Sequence, residues 1–129
     1  MIIVAVGIGG VLVAVTRPKP TEELTEAAKA LEVDWASMPV DALVSKWFTP
    51  NLTAARRARL DRIFLRRKWS SQRPAIRYVL DEMRYDEIKG RSEYEIEGFP
   101  KDRLLTIFWD RVNGNWKVTA PKIPILEKK

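Results

Sequence analysis

Polar and apolar positions follow three different rhythms along the chain. Residues 1–16 carry no charge and are almost wholly apolar, ending where Thr16, Arg17, Pro18, Lys19 and Pro20 interrupt the run. From Thr21 the period is helical. Leu24, Ala27, Ala28 and Leu31 recur at spacings of three and four behind a Thr21 cap, with Glu22 and Glu23 in the first turn, where the helix dipole favours carboxylates. A second helix is expected across Val40 to Phe48, with Leu43 and Trp47 on one face. Thr49-Pro50 starts a third and longest helix running to Trp69, and Pro74 starts a fourth to about Arg84 with Ile76, Val79, Leu80 and Met83 turned to the core.

Beyond Tyr85 the period falls to two. Glu93, Glu95 and Glu97 alternate with Tyr94 and Ile96, the signature of a strand wet on one face. Two further strands flank Asn113-Gly114, a pair suited to a type I′ hairpin turn. That turn sets Asp110 opposite Lys117, Trp109 opposite Val118 and Arg111 opposite Trp116: one charge pair, one apolar pair and one possible guanidinium–indole stack. The expected fold class is α+β, with an N-terminal transmembrane helix followed by helices packed on a curved antiparallel sheet of three or more strands ending in a hairpin. The divisions are a membrane anchor over 1–16, a Pro-rich exit over 17–20, a small domain over 21–120 and an extended tail over 121–129.

The opening run admits three readings. As a helix, residues 2–16 would span ~22 Å against a hydrocarbon core of ~30 Å, a gap that bilayer thinning and snorkelling of Arg17 and Lys19 narrow. As a secretory signal it lacks a basic first region and a small-residue cleavage site. As a buried strand, IIVAV is rich in β-branched residues, and Gly7 and Gly9 start a dinucleotide-binding pattern, but Leu12 stands where its third glycine belongs. A single-span anchor is preferred. Ala5 with Gly9, and Gly10 with Ala14, would let a second helix approach closely, and Arg17 and Lys19 after the run place the body on the cytoplasmic side.

Composition narrows the chemistry. With neither histidine nor cysteine, the chain has no imidazole base, thiolate nucleophile, disulfide or Cys/His zinc site. No loop carries calcium-binding or phosphate-cradling spacing, so no metal or cofactor is assigned. The net charge of +6 is uneven: counting Lys and Arg against Asp and Glu, residues 50–79 carry +8 and residues 20–49 carry −4. On a helix, Arg59, Arg62 and Arg66 form one ridge, with Arg56 and Arg67 intruding on an apolar arc of Leu52, Leu60, Ile63 and Phe64. These five arginines are the candidate anion- or partner-binding residues. Pairing with Glu22, Glu23, Glu26 and Glu32 of the first helix would neutralise them; otherwise anionic lipid or an acidic protein is the expected partner, ahead of nucleic acid.

The order of elements, with a last strand reading NGNWKV, resembles the nuclear-transport-factor-2-like superfamily of cone-shaped α+β proteins. The resemblance implies a curved sheet wrapped on helices, a pocket, and often a homodimer through the sheet. The absence of histidine points to the binding or scaffolding branch of that family. The expected function is therefore a membrane-anchored, non-catalytic binding or assembly module. One alternative is a small pocket-bearing enzyme of the same type using Tyr78, Asp81, Tyr85 and Tyr94; another is a basic nucleic-acid-binding domain. Trp109, Trp116 and Arg111 are candidate pocket-lining or exposed residues, with Trp116 expected to be partly exposed.

Overall fold

A computed structural model of the chain describes residues 4–7, 11–14, 20–84 and 87–124. Strands β1 (Val4–Gly7) and β2 (Val11–Ala14) pair antiparallel in a two-stranded sheet of their own. Helices α1 (Pro20–Trp35), α2 (Val40–Trp47) and α3 (Ala54–Arg66) follow, then β3 (Ile76–Arg84), β4 (Lys89–Ile96), β5 (Leu105–Val112) and β6 (Asn115–Lys122). These last four strands form one antiparallel meander in chain order. The α+β class is as the sequence predicts, with three helices against four strands.

The opening differs from the expected transmembrane helix. Val4–Gly7 and Val11–Ala14 are extended, and among the described residues no helix is long and apolar enough to cross a membrane. β-Branched Val and Ile favour extended backbone, and glycines 7, 9 and 10 weaken a helix at its centre. Gly9 and Gly10, Arg17 and Lys19, and residues 125–129 of the tail lie outside the described residues.

The segment after Pro74 is also a strand instead of a fourth helix. Ile76 and Tyr78 alternate inward, and then a bulge between Tyr78 and Leu80 shifts the register, so that Asp81 and Met83 resume the inward side. The bulge spaces the apolar residues unevenly, which imitates a helical stripe in sequence. The third helix begins four residues beyond Pro50, where Thr53 is the N-cap and its hydroxyl accepts from Arg56 N at 3.2 Å. It ends in a Schellman motif. Trp69 N donates to Phe64 O at 2.7 Å and Lys68 N to Leu65 O at 3.0 Å, with Lys68 at φ 59° in the position where glycine is usual.

The hairpin follows its predicted register, Asp110 opposite Lys117, Trp109 opposite Val118 and Arg111 opposite Trp116, through Asn113 at φ 50° and Gly114 at φ 81°. β6 continues through Pro121 to Lys122, a run permitted because β6 lies at the sheet edge.

The inner sheet face is packed solid. Trp35, Phe64, Tyr94 and Trp109 are each at most 1% exposed. Trp35 meets Phe64 edge-on at 5.7 Å, and Trp47 meets Trp109 at 5.9 Å. A hydrogen-bond chain crosses this core: Trp109 Nε1 donates to Ser92 Oγ at 2.8 Å, Ser92 to the Tyr94 hydroxyl at 3.1 Å, and Tyr94 to Ala28 O of α1 at 2.8 Å. Burial holds the Tyr94 phenol well above its ordinary pKa, so it remains a donor. Gly90 lets α1 come close, since a Cβ there would stand 2.7 Å from Leu24 Cδ2, a side chain already enclosed.

A buried cation joins the helices. Arg73, 3% exposed, donates from Nε to Trp35 O at 2.6 Å and from one terminal nitrogen to Trp69 O and, at 3.4 Å, to Ser70 O. Its guanidinium lies 5.6 Å from the Trp35 ring and 5.5 Å from the Phe64 ring. Burial lowers its pKa to about 10, which leaves it charged at neutral pH. The neighbouring backbone repeats the tie, with Val40 N donating to Ser70 O at 2.7 Å. Arg73→Met would leave the Trp35 and Trp69 carbonyls without that donor, and each buried acceptor so stranded costs about 1–3 kcal/mol. The variant should unfold in urea with roughly 2–4 kcal/mol less stability; a loss below about 0.5 kcal/mol would contradict this role.

Candidate functional site

Helix α3 is where the chain's charge imbalance comes to the surface. Leu60 and Phe64 turn into the core, and the Arg57 side chain, on the flank, reaches Asp41 and Asp61. Arg56, Arg59, Arg62 and Arg66 are all exposed, and among the described residues none has a carboxylate within salt-bridge distance. Arg67 belongs to a different environment. It donates to Pro124 O at 2.9 Å and lies 5.3 Å from the Trp69 ring, so it fastens the segment just after β6 to the end of α3.

The expected neutralisation by α1 is not what the structure shows. Glu23 reaches Arg111 at 3.6 Å, and Glu32 accepts from the backbone of Tyr78, both on the sheet side. At the far end of α1, Asp34 takes Lys46 at 2.7 Å and Trp47 Nε1 at 2.8 Å. The Lys46 hydrogen bond holds that carboxyl below its usual range against the opposing effect of burial, with Trp47 assisting.

Between α3 and the outer edge of β6 runs a cleft of about 450 Å³. Phe48, Leu52, Leu60, Ile63 and Phe108 supply its apolar lining, Arg56 and Arg59 its charge, and Thr119, Ala120 and Pro121 its β6 side. Among the described residues no carboxylate lines it. Thr49 N donates to Val118 O at 2.9 Å and brings the chain before α3 onto the β6 edge. Of the predicted site residues, the structure therefore brings Arg56 and Arg59 together at a cleft, sets Arg62 and Arg66 on the adjoining ridge, and removes Arg67 to a structural contact.

Sequence reasoning does not identify Phe48, Phe108 and Ala120. Phe108 stands out of phase with Ile107 and Trp109 on β5, and is 39% exposed where its neighbours are buried, a hint available from alternation alone. Trp109 and Trp116 are buried at 1% and 5%, which corrects the expected exposure of Trp116. Trp116 packs beneath α1, where it touches the site of Gly90, and borders a shallow recess with Trp47.

The residues of the enzyme alternative are occupied structurally. The Tyr78 hydroxyl and Thr25 Oγ1 both donate to Asp81 Oδ2, Thr25 at 2.7 Å, pinning α1 to β3. Lys29 lies 5.4 Å from the Tyr78 ring. Tyr94 is enclosed in the core chain, and Tyr85 lies outside the described residues. Tyr78, Asp81 and Tyr94 border none of the principal recesses. Among the described residues no three Asp or Glu side chains gather in a way that could hold a metal ion. The outer sheet face is a lattice of paired charges: Arg91 with Glu82 and Glu93, Lys89 with Asp110, and Arg77 with Glu95.

No protein-family model, curated protein or solved structure matches this chain.

Burial first, and then the Asp81 hydrogen bond, push the Tyr78 phenol up to about 12. The unfolded chain ionises this group nearer pH 10, so folding is undisturbed by it below that pH and loses stability above it, as the unfolded state gives up the proton first. Tyr78→Phe should make the decline in urea midpoint between about pH 10 and 11 shallower, by up to about 1 kcal/mol. An unchanged slope would show that Tyr78 titrates alike in both states.

Proposed function

We propose that this chain is a non-catalytic binding module that works at a membrane surface, with α3 facing anionic lipid head groups. The observation that carries the reading is the unneutralised face of α3: among the described residues, Arg56, Arg59, Arg62 and Arg66 are exposed with no carboxylate partner, and no carboxylate lines the cleft beside them. An exposed cluster of one sign concentrates anions, and near an anionic leaflet each such arginine contributes about 1 kcal/mol. The uncharged residues 1–16 support the location, as a segment whose apolar composition favours lipid over water.

The closed interior favours a binding role over catalysis. An acid–base enzyme needs a carboxylate and a Tyr facing a space that holds substrate. Here Trp35, Trp109, Tyr94 and Phe64 fill that space, and Tyr78 and Asp81 are bonded to each other at the α1–β3 contact. Three helices ahead of a four-stranded meander, ending in the NGNWKV hairpin, support a reading of the fold as nuclear-transport-factor-2-like with its pocket filled by side chains. Nucleic acid is the weaker choice, because among the described residues Phe108 is the single exposed aromatic beside the arginines, and one ring does not make a stacking platform for successive bases.

The full-length chain should sediment with phosphatidylcholine vesicles containing phosphatidylserine more strongly than with phosphatidylcholine alone, and less so as salt rises. Replacing Arg59, Arg62 and Arg66 together by Gln should weaken binding to the anionic vesicles on the order of a hundredfold. Equal binding to both vesicle types, or indifference to the triple substitution, would overturn the reading.

A further inference from the structure

The apolar lining of the α3–β6 cleft is not used by attraction between arginines and a charged surface. A flat array of head groups needs only the exposed ridge. Yet beside that ridge lies a concavity of about 450 Å³, within the size range of small-molecule sites. It is apolar along Phe48, Leu52, Leu60, Ile63 and Phe108, and two arginines stand at its margin. Phe108 is the informative residue: a large aromatic, 39% exposed, opposite Arg91 on the sheet face that carries the ion pairs, and a member of the cleft lining. A ligand that covers Phe108 and presents an anion to Arg56 and Arg59 satisfies both features at once.

The shape argues against an extended peptide. Strand addition to β6 needs a row of free backbone donors and acceptors. Pro121 has no N–H to offer, and Val118 O already accepts from Thr49 N at 2.9 Å. Among the described residues the lining has no carboxylate to receive a cationic head.

We propose that this cleft binds a single-chain anionic amphiphile, its acyl tail against Phe108, Ile63, Leu60 and Leu52 and its carboxylate or phosphate head at Arg56 and Arg59. The inference rests on the reading of α3 as an anion-facing surface and names the molecule that the surface selects.

The test uses the full-length chain and cis-parinarate, a fluorescent long-chain carboxylate, with vesicle sedimentation run in parallel. Saturable binding near one per chain is expected, displaced by oleate or lysophosphatidate, whose separate potencies distinguish a carboxylate head from a phosphate head. Methyl oleate, without the charge, should compete at least about tenfold less well. Phe108→Asp, which puts a like charge in the lining, and Ala120→Trp, which fills it, should each weaken the probe at least about tenfold, and Ala120→Trp, which changes no charge, should leave vesicle binding within about twofold. Should either fail to fold, the exposed pair Arg56→Gln with Arg59→Gln tests the head-group contact independently, with a loss of at least about tenfold expected. The proposal is overturned by non-saturable probe uptake, by equal competition from methyl oleate, or by probe binding that survives Phe108→Asp in a folded protein. Those results, alongside intact vesicle binding, would remove the cleft and keep the surface; probe binding without vesicle binding would remove the surface and keep the cleft.

Discussion

One buried guanidinium determines how the helices meet. Arg73 takes the final carbonyl of α1 through Nε and the Trp69 carbonyl just past α3 through a terminal nitrogen, with the Trp35 and Phe64 rings close to the cation. A charge is expensive to place there, and its lowered pKa reflects that cost. It stays because the two converging helix ends would otherwise bury carbonyls with nothing to donate to them. Holding the end of α3 against the end of α1 also decides what α3 shows to solvent. Leu60 and Phe64 are committed inward, and the arginine ridge is left outside, remote from the glutamates that serve the sheet.

The charge asymmetry visible along the chain is therefore kept in three dimensions. An acidic first helix followed by a basic third one invites the thought that they cancel. The contacts show a different distribution: α1 spends Glu23 on Arg111 of β5, Glu32 on the β3 backbone and Asp34 on α2. On α3 only Arg57 has carboxylates among the described residues, taking both Asp41 and Asp61. Solvent screening weakens any single exposed arginine, but four on one face beside an apolar cleft form an arrangement that folding itself does not use.

Local rules are legible wherever few residues decide the outcome. Asn113-Gly114 is enough to place the hairpin and its register, because both residues must take positive φ there. The helical spacing of Arg59, Arg62 and Arg66 likewise puts them on one ridge. Sequence pattern misleads at β3, where the bulge by Val79 disguises a strand as a helical stripe, and at Thr49-Pro50, where a strand bridge from Phe48 to Val118 delays the helix until Thr53 can cap it. The cleft is not legible because its walls are far apart in sequence: Phe48 and Ile63 meet Phe108 and Ala120 only after α3 has docked beside the sheet edge. The burial of Trp116 is hidden for a related reason, since Gly90 on another strand admits α1 close above it.

The central claim is that binding belongs to the outward side of α3 and the adjoining β6 edge, and that the filled interior takes no part. Amide hydrogen exchange of the full-length chain, with and without phosphatidylserine-containing vesicles, addresses it most directly. The account predicts added protection over Ala54–Arg66 with the vesicles, and along β6 when oleate is added, with the backbone amides of β3 and β4 unchanged. Protection centred instead on α1 and β3, with α3 exchanging as it does free in solution, would contradict it.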